Sequence, residues 1–114
     1  MEKEQMGMNA SIALQVLPNV TEREETRRIV DEVIAYIEST GLHYVVGAFE
    51  TTIEGDLDEL LEIVKESQKI CVRAGAPGVM SYVKITYEPA GVWTIDDKTG
   101  KYEKKRRERE EKSR

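Results

Sequence analysis

The chain has one cysteine, one histidine, one tryptophan and one phenylalanine in 114 residues. Each scarcity excludes something. A single Cys71 cannot form an internal disulfide, and its expected state is a reduced, half-buried thiol in a cytoplasmic protein. On the amphipathic stripe of a helix it is read as core, since a catalytic thiol needs exposure and a neighbouring base. The lone His43 lacks further ligands at metal-binding spacing and is read as a surface or edge residue, so no metal site is expected. No run of about 18 apolar residues exists, which argues against a membrane-spanning helix. Residues 1–8 are polar, have no apolar signal region and are expected to be a flexible lead-in. No catalytic signature is found, and catalytic residues are not assigned.

Charge is plentiful, at 34% of residues and a net −5, and it is divided. Residues 101–114 hold eight basic and four acidic side chains, for +4, which leaves −9 on residues 1–100. An acidic body disfavours nucleic acid and tolerates a cationic ligand. The run Lys104-Lys105-Arg106-Arg107 is interleaved with Glu108, Glu110 and Glu111, so it reads as a solvated face. Residues 103–114 have almost no apolar side chain to anchor them and are expected to form a charged helical or disordered tail.

Between these ends the hydrophobic period changes in order. Ala10 to Leu17 alternates and predicts a strand ended by Pro18-Asn19. Thr21 with Glu24 suggests a capping box for a helix with Ile29, Val30, Val33, Ile34 and Ile37 at helical spacing, closed by Gly41. Leu42 to Val46 predicts a second strand, Gly47-Ala48 a tight turn, and Phe49 to Glu54 a third strand. The third strand passes through Gly55 into a helix capped by Asp56 and running to about Ala74, with Leu57, Leu60, Leu61, Val64 and Cys71 buried. Val79 to Tyr87 predicts a fourth strand. Asp96-Asp97 is read as a helix cap.

This order is β-α-β-β-α-β, the ferredoxin-like α+β pattern: a four-stranded antiparallel sheet with two helices on one face. Residues 9–102 form its single ligand-binding domain. The other face is expected to lie open and to carry Ala13, Gln15, Leu17, Met80, Tyr82 and Lys84. Such a mixed apolar face points to self-association as a homodimer or homotetramer. Glu50, Thr52 and Glu54 share one side of the third strand. On the open face they would make an acidic, hydrogen-bonding strip, the candidate ligand site.

The segments Leu14-Gln15-Val16-Leu17-Pro18, Tyr44-Val45-Val46-Gly47, Glu50-Thr51-Thr52-Ile53-Glu54-Gly55-Asp56-Leu57-Asp58-Glu59 and Val83-Lys84-Ile85 resemble the small YkoF-like thiamine-binding proteins, as does Gly91-Val92-Trp93-Thr94-Ile95-Asp96-Asp97-Lys98. The resemblance covers about residues 9–102. It implies a ferredoxin-like fold, dimers or tetramers, and binding of thiamine or its hydroxymethylpyrimidine precursor without turnover. No cofactor other than thiamine as a ligand is implied. Gln15, Glu50, Thr52 and Glu54 are the candidate ligand-binding residues, because a thiazolium cation and an aminopyrimidine call for carboxylate and amide partners.

Two other classes share this order of elements. A small enzyme or regulatory protein of the same fold acting on another small molecule is the alternative. An acylphosphatase-like site would need a phosphate-cradling loop with Arg after the first strand, and Pro18-Asn19-Val20-Thr21 has neither Gly nor Arg. An RNA-binding sheet would need aromatics on the open central strands, where Tyr82 alone qualifies.

Overall fold

The computed structural model describes residues 8–113; the expected lead-in, apart from Met8, lies outside them. Four strands, β1 (Ala10–Pro18), β2 (Tyr44–Val46), β3 (Thr51–Gly55) and β4 (Val79–Tyr87), alternate with three helices: α1 (Arg23–Ser39), α2 (Leu57–Arg73) and α3 (Ile95–Ser113). The strands form one antiparallel sheet in the order β2-β3-β1-β4. The protein is therefore α+β with three helices, where the sequence predicts two.

Period-two alternation sends Ile12 and Leu14 of β1 and Ile53 of β3 to one face. There they meet Ile29, Val33 and Ile37 of α1 and Leu60, Ile63 and Cys71 of α2, all buried. The register places Ile12 opposite Ile53 and Ile85, and Ala13 opposite Thr52 and Lys84. A tie outside the core joins the helices: Arg28 donates to the Ala74 carbonyl oxygen at 2.6 Å.

Local chemistry departs from the sequence expectation at several points. Thr21 does not cap α1. The cap position is Glu22, with no side-chain cap bond, and Glu24 and Glu25 complement the helix dipole in the first turn. Gly41 does close α1, at φ 77°. Leu42 is not in β2; it turns inward and packs 3.2 Å from where a Cβ on Gly55 would lie. That contact, and not a positive φ, is why Gly55 has no side chain. The β2–β3 connection spans Gly47 to Glu50, because Val46 pairs with Thr51. Phe49 and Glu50 thus belong to the loop. Gly47 is needed because a Cβ there would sit 2.9 Å from the Glu50 carbonyl oxygen.

Asp56 caps α2, its carboxylate accepting the Asp58 N–H at 3.0 Å. Asn9 completes the cap: its amide donates to Asp56 Oδ1 at 3.0 Å and its oxygen accepts the Leu57 N–H at 2.9 Å. On α2 the buried stripe runs Leu60, Ile63, Ser67, Cys71. Leu61 lies off it and is 43% exposed. Ser67 is tolerated in the stripe because its hydroxyl donates to the Ile63 carbonyl at 2.7 Å.

The third helix changes the picture of the open face. Thr94 and Asp97 form a reciprocal capping box: Asp97 Oδ2 accepts the Thr94 N–H and Thr94 Oγ1 accepts the Asp97 N–H, both at 3.0 Å. The box starts the helix at Ile95, ahead of the basic tail. Ile95, Lys98 and Thr99 then line a cavity together with Ser11, Ala13 and Thr52 of the sheet. The face opposite α1 and α2 is therefore partly covered from within the chain, against the expectation that it lies wholly open. Beyond Gly100 the side chains described on α3 are exposed.

Candidate functional site

The four candidate ligand-binding residues, Gln15 and the expected strip of Glu50, Thr52 and Glu54, are separated by their surroundings. Glu54 is 3% exposed. Its Oε2 accepts the Ile95 N–H at 2.9 Å, and its Oε1 lies 3.7 Å from Nε2 of the exposed His43. It ties α3 to the sheet and is buried, against the expectation of a solvent-facing carboxylate, and the reason is the third helix, whose first N–H groups need acceptors.

Glu50 has a side chain 33% exposed, with Oε1 3.0 Å from Lys84 Nζ. The strip is thus not an uncompensated run of acid: β4 brings a lysine across β1 to meet it. The Glu50 carboxylate has no other partner among the described residues, which leaves Oε2 free to accept from a ligand.

Two cavities meet at Glu50. The first, about 310 Å³, lies between the sheet and the start of α3, lined by Ser11, Glu50, Thr52, Lys84, Lys98 and Thr99 among others. The second, about 190 Å³, lies where the β2–β3 loop closes over α1, lined by Gln15, Val30, Ile34, Phe49 and Glu50 among others. Thr52 therefore belongs to the first, Gln15 to the second and Glu50 to both, while Glu54 lines neither. The first cavity offers hydroxyl, carboxylate and ammonium groups; the second is mainly aliphatic, with one exposed aromatic ring.

Lys84, Lys98 and Thr99 were not among the sequence candidates. Lys84 had been placed on the correct face, but its pairing with Glu50 depends on strand order, which alternation does not disclose. Lys98 and Thr99 follow Asp96-Asp97, read as a helix cap, where Thr94 and Asp97 form the actual box; which face the resulting helix covers has no sequence signature.

Away from the cavities, Cys71 is fully buried, and burial pushes its thiol up from the usual range. Trp93 is exposed. Among the described residues no group of three or more His, Cys, Asp or Glu is arranged to hold a metal ion, and no helix is long and apolar enough to cross a membrane.

Comparison with known proteins places this geometry in a lineage. The UPF0045 protein CPE1503 of Clostridium perfringens is 54% identical over 92 residues, spanning 81% of this chain and 95% of the relative. A domain of unknown function from Bacillus cereus superposes with a TM-score of 0.75 at 39% identity, covering 86% of this chain and 93% of that one. A Thermotoga maritima protein, provisionally assigned to thiamine biosynthesis or salvage, superposes at 0.73 with 31% identity, covering 82% and 97%. Residues 12–103, which include the lining of both cavities apart from Ser11 and the first half of α3, match the profile of the thiamine-binding protein family, and the chain belongs to that family.

Proposed function

We propose that this protein binds thiamine or its hydroxymethylpyrimidine precursor, without turnover, in the cavity between the sheet and the start of α3. One observation carries the reading: a cavity of about 310 Å³ walled by Glu50 and Thr52, in a chain of the thiamine-binding family. Its volume falls at the lower end of small-molecule sites, roughly 300 Å³ upward. Glu50 Oε2 would accept from the aminopyrimidine amine or face the thiazolium charge. The Thr52 hydroxyl can donate to, or accept from, a ring nitrogen or amine. Gln15 sits in the neighbouring cavity and takes part only if the ligand reaches past Glu50. The relation to a Thermotoga maritima protein provisionally assigned to thiamine biosynthesis or salvage supports the same ligand class.

The fold is read as ferredoxin-like and the working form as a homodimer or homotetramer in the cytoplasm. Leu17, Met80 and Tyr82 remain exposed on the sheet beyond the reach of α3, and a contiguous apolar face of this kind favours a second copy. Light scattering should give at least twice the 13.0 kDa chain mass; a clean monomer would remove this part.

Calorimetric titration with thiamine and with hydroxymethylpyrimidine tests the binding. Saturable uptake of at least one, with the ligand recovered unchanged by chromatography, is the expected result. No uptake of either would overturn the reading, and a converted ligand would replace a binding protein with an enzyme.

A further inference from the structure

The cavity that receives the ligand carries more positive than negative charge. Lys84 and Lys98 both line it, and Glu50 is the carboxylate among its lining residues. Glu54 lines neither cavity and is occupied by the Ile95 N–H. A thiazolium is a cation, so a purely cationic guest meets a wall whose formal charge has its own sign. An ammonium has three N–H donors. Lys84 directs one to Glu50, at 3.0 Å, and keeps the others. Lys98 forms no ion pair with the described residues. Thr86 and Thr99 add hydroxyls to the same wall.

We infer that the preferred guest is a phosphate monoester of the thiazolium–pyrimidine class and not the free alcohol, an inference that rests on the thiamine-binding reading. A monoester carries about −1.5 to −2 charge near neutral pH and three acceptor oxygens. Its phosphate lies between Lys84 and Lys98, with the threonine hydroxyls as further donors. Its cationic and amino groups lie toward Glu50. Each end of the ligand then meets opposite charge, which neither free thiamine nor a bare anion achieves.

The test is calorimetry on the full chain with three probes: thiamine, thiamine monophosphate and inorganic phosphate. The parent should bind the monophosphate about tenfold more tightly than thiamine, the scale of one charge-assisted contact. Lys98→Gln, an exposed position whose loss should not disturb folding, should erase most of that preference, through weaker binding of the monophosphate. Added salt should narrow the preference in the parent. Equal affinity for the two thiamine forms, or tighter binding of thiamine, overturns the phosphate inference while the thiamine reading stands. Inorganic phosphate binding as tightly as the monophosphate also overturns it, because the site is then a simple anion site. Failure of both thiamine forms to bind overturns the phosphate inference, and the binding reading falls with it when hydroxymethylpyrimidine is refused as well.

Discussion

Glu54 accepts the Ile95 N–H at 2.9 Å, joining β3 to the first residue of α3 across 41 positions of chain. The contact turns an open sheet face into a cavity wall. Replacing Glu54 with Leu leaves that partly buried N–H without an acceptor, a loss of about 1–3 kcal/mol. Glu54→Gln keeps an oxygen in place and should lose less. Urea denaturation reads the cost, and amide exchange at Ile95 should accelerate in the leucine variant. Unchanged exchange would mean that α3 is held by something other than this carboxylate.

Gly47 is tested by a single methyl group. A Cβ there would stand 2.9 Å from the Glu50 carbonyl oxygen, which also accepts the Gly47 N–H at 2.9 Å. The oxygen is backbone and cannot swing aside as a side chain would, so the turn must open to make room. Gly47→Ala should destabilise by about 0.5–3 kcal/mol and weaken ligand binding as well, because Glu50 ends the same loop. A variant as stable as the parent would show that the turn has slack.

Cys71 supplies a pH signature. Burial raises its thiol pKa in the folded state. The folded protein therefore holds the proton to higher pH than the unfolded chain, in which the thiol titrates near about 8.5. The thiol's contribution to stability is complete below that value and is lost as pH rises through the folded pKa. Tyr36, whose phenol burial also raises, titrates in parent and variant alike and cancels in the comparison. Between about pH 8.5 and 10, the parent should lose stability more steeply than Cys71→Ala, although the alanine variant starts lower through its cavity. Parallel slopes would place the thiol in contact with water.

The sequence discloses this fold where one signal dominates. Alternation in Ala10 to Leu17 and the helical spacing of Ile29, Val33 and Ile37 each name an element and its buried face, and alternation in Val79 to Tyr87 names a strand whose inward side is at most half-buried. It discloses less where two explanations share one residue type. A glycine in sequence fits a special backbone angle or a close approach equally; at 47 and 55 the neighbours are the Glu50 carbonyl oxygen and Leu42. Period two put Glu50, Thr52 and Glu54 on one side of a strand; Thr52 and Glu54 lie in β3, but Glu50 lies in the loop before it. It could not say that a helix from residue 95 would bury Glu54 or that β4 would set Lys84 beside Glu50, because both contacts arise from elements distant in sequence.

Glu50 and Glu54 should therefore behave differently, although they look equivalent on the strand. Glu50→Gln removes a half-exposed carboxylate whose ion pair with Lys84 contributes at most about 1 kcal/mol to folding. Its stability should stay close to the parent's. Its thiamine affinity should fall by about tenfold to a hundredfold, equivalent to roughly 1.5–3 kcal/mol for a contact to a charged group. Glu54→Gln should show the reverse: a measurable loss of stability and little direct change in affinity. Loss of Glu50 also releases Lys84, so binding of the phosphate monoester should suffer less than binding of thiamine. Calorimetry on the two variants with the two ligands resolves all of this. Equal, undiminished thiamine binding by both variants would move the ligand away from Glu50, to a cavity that neither carboxylate lines. An equal loss for the two ligands in Glu50→Gln would show that Lys84 does not turn to the phosphate when its partner is removed.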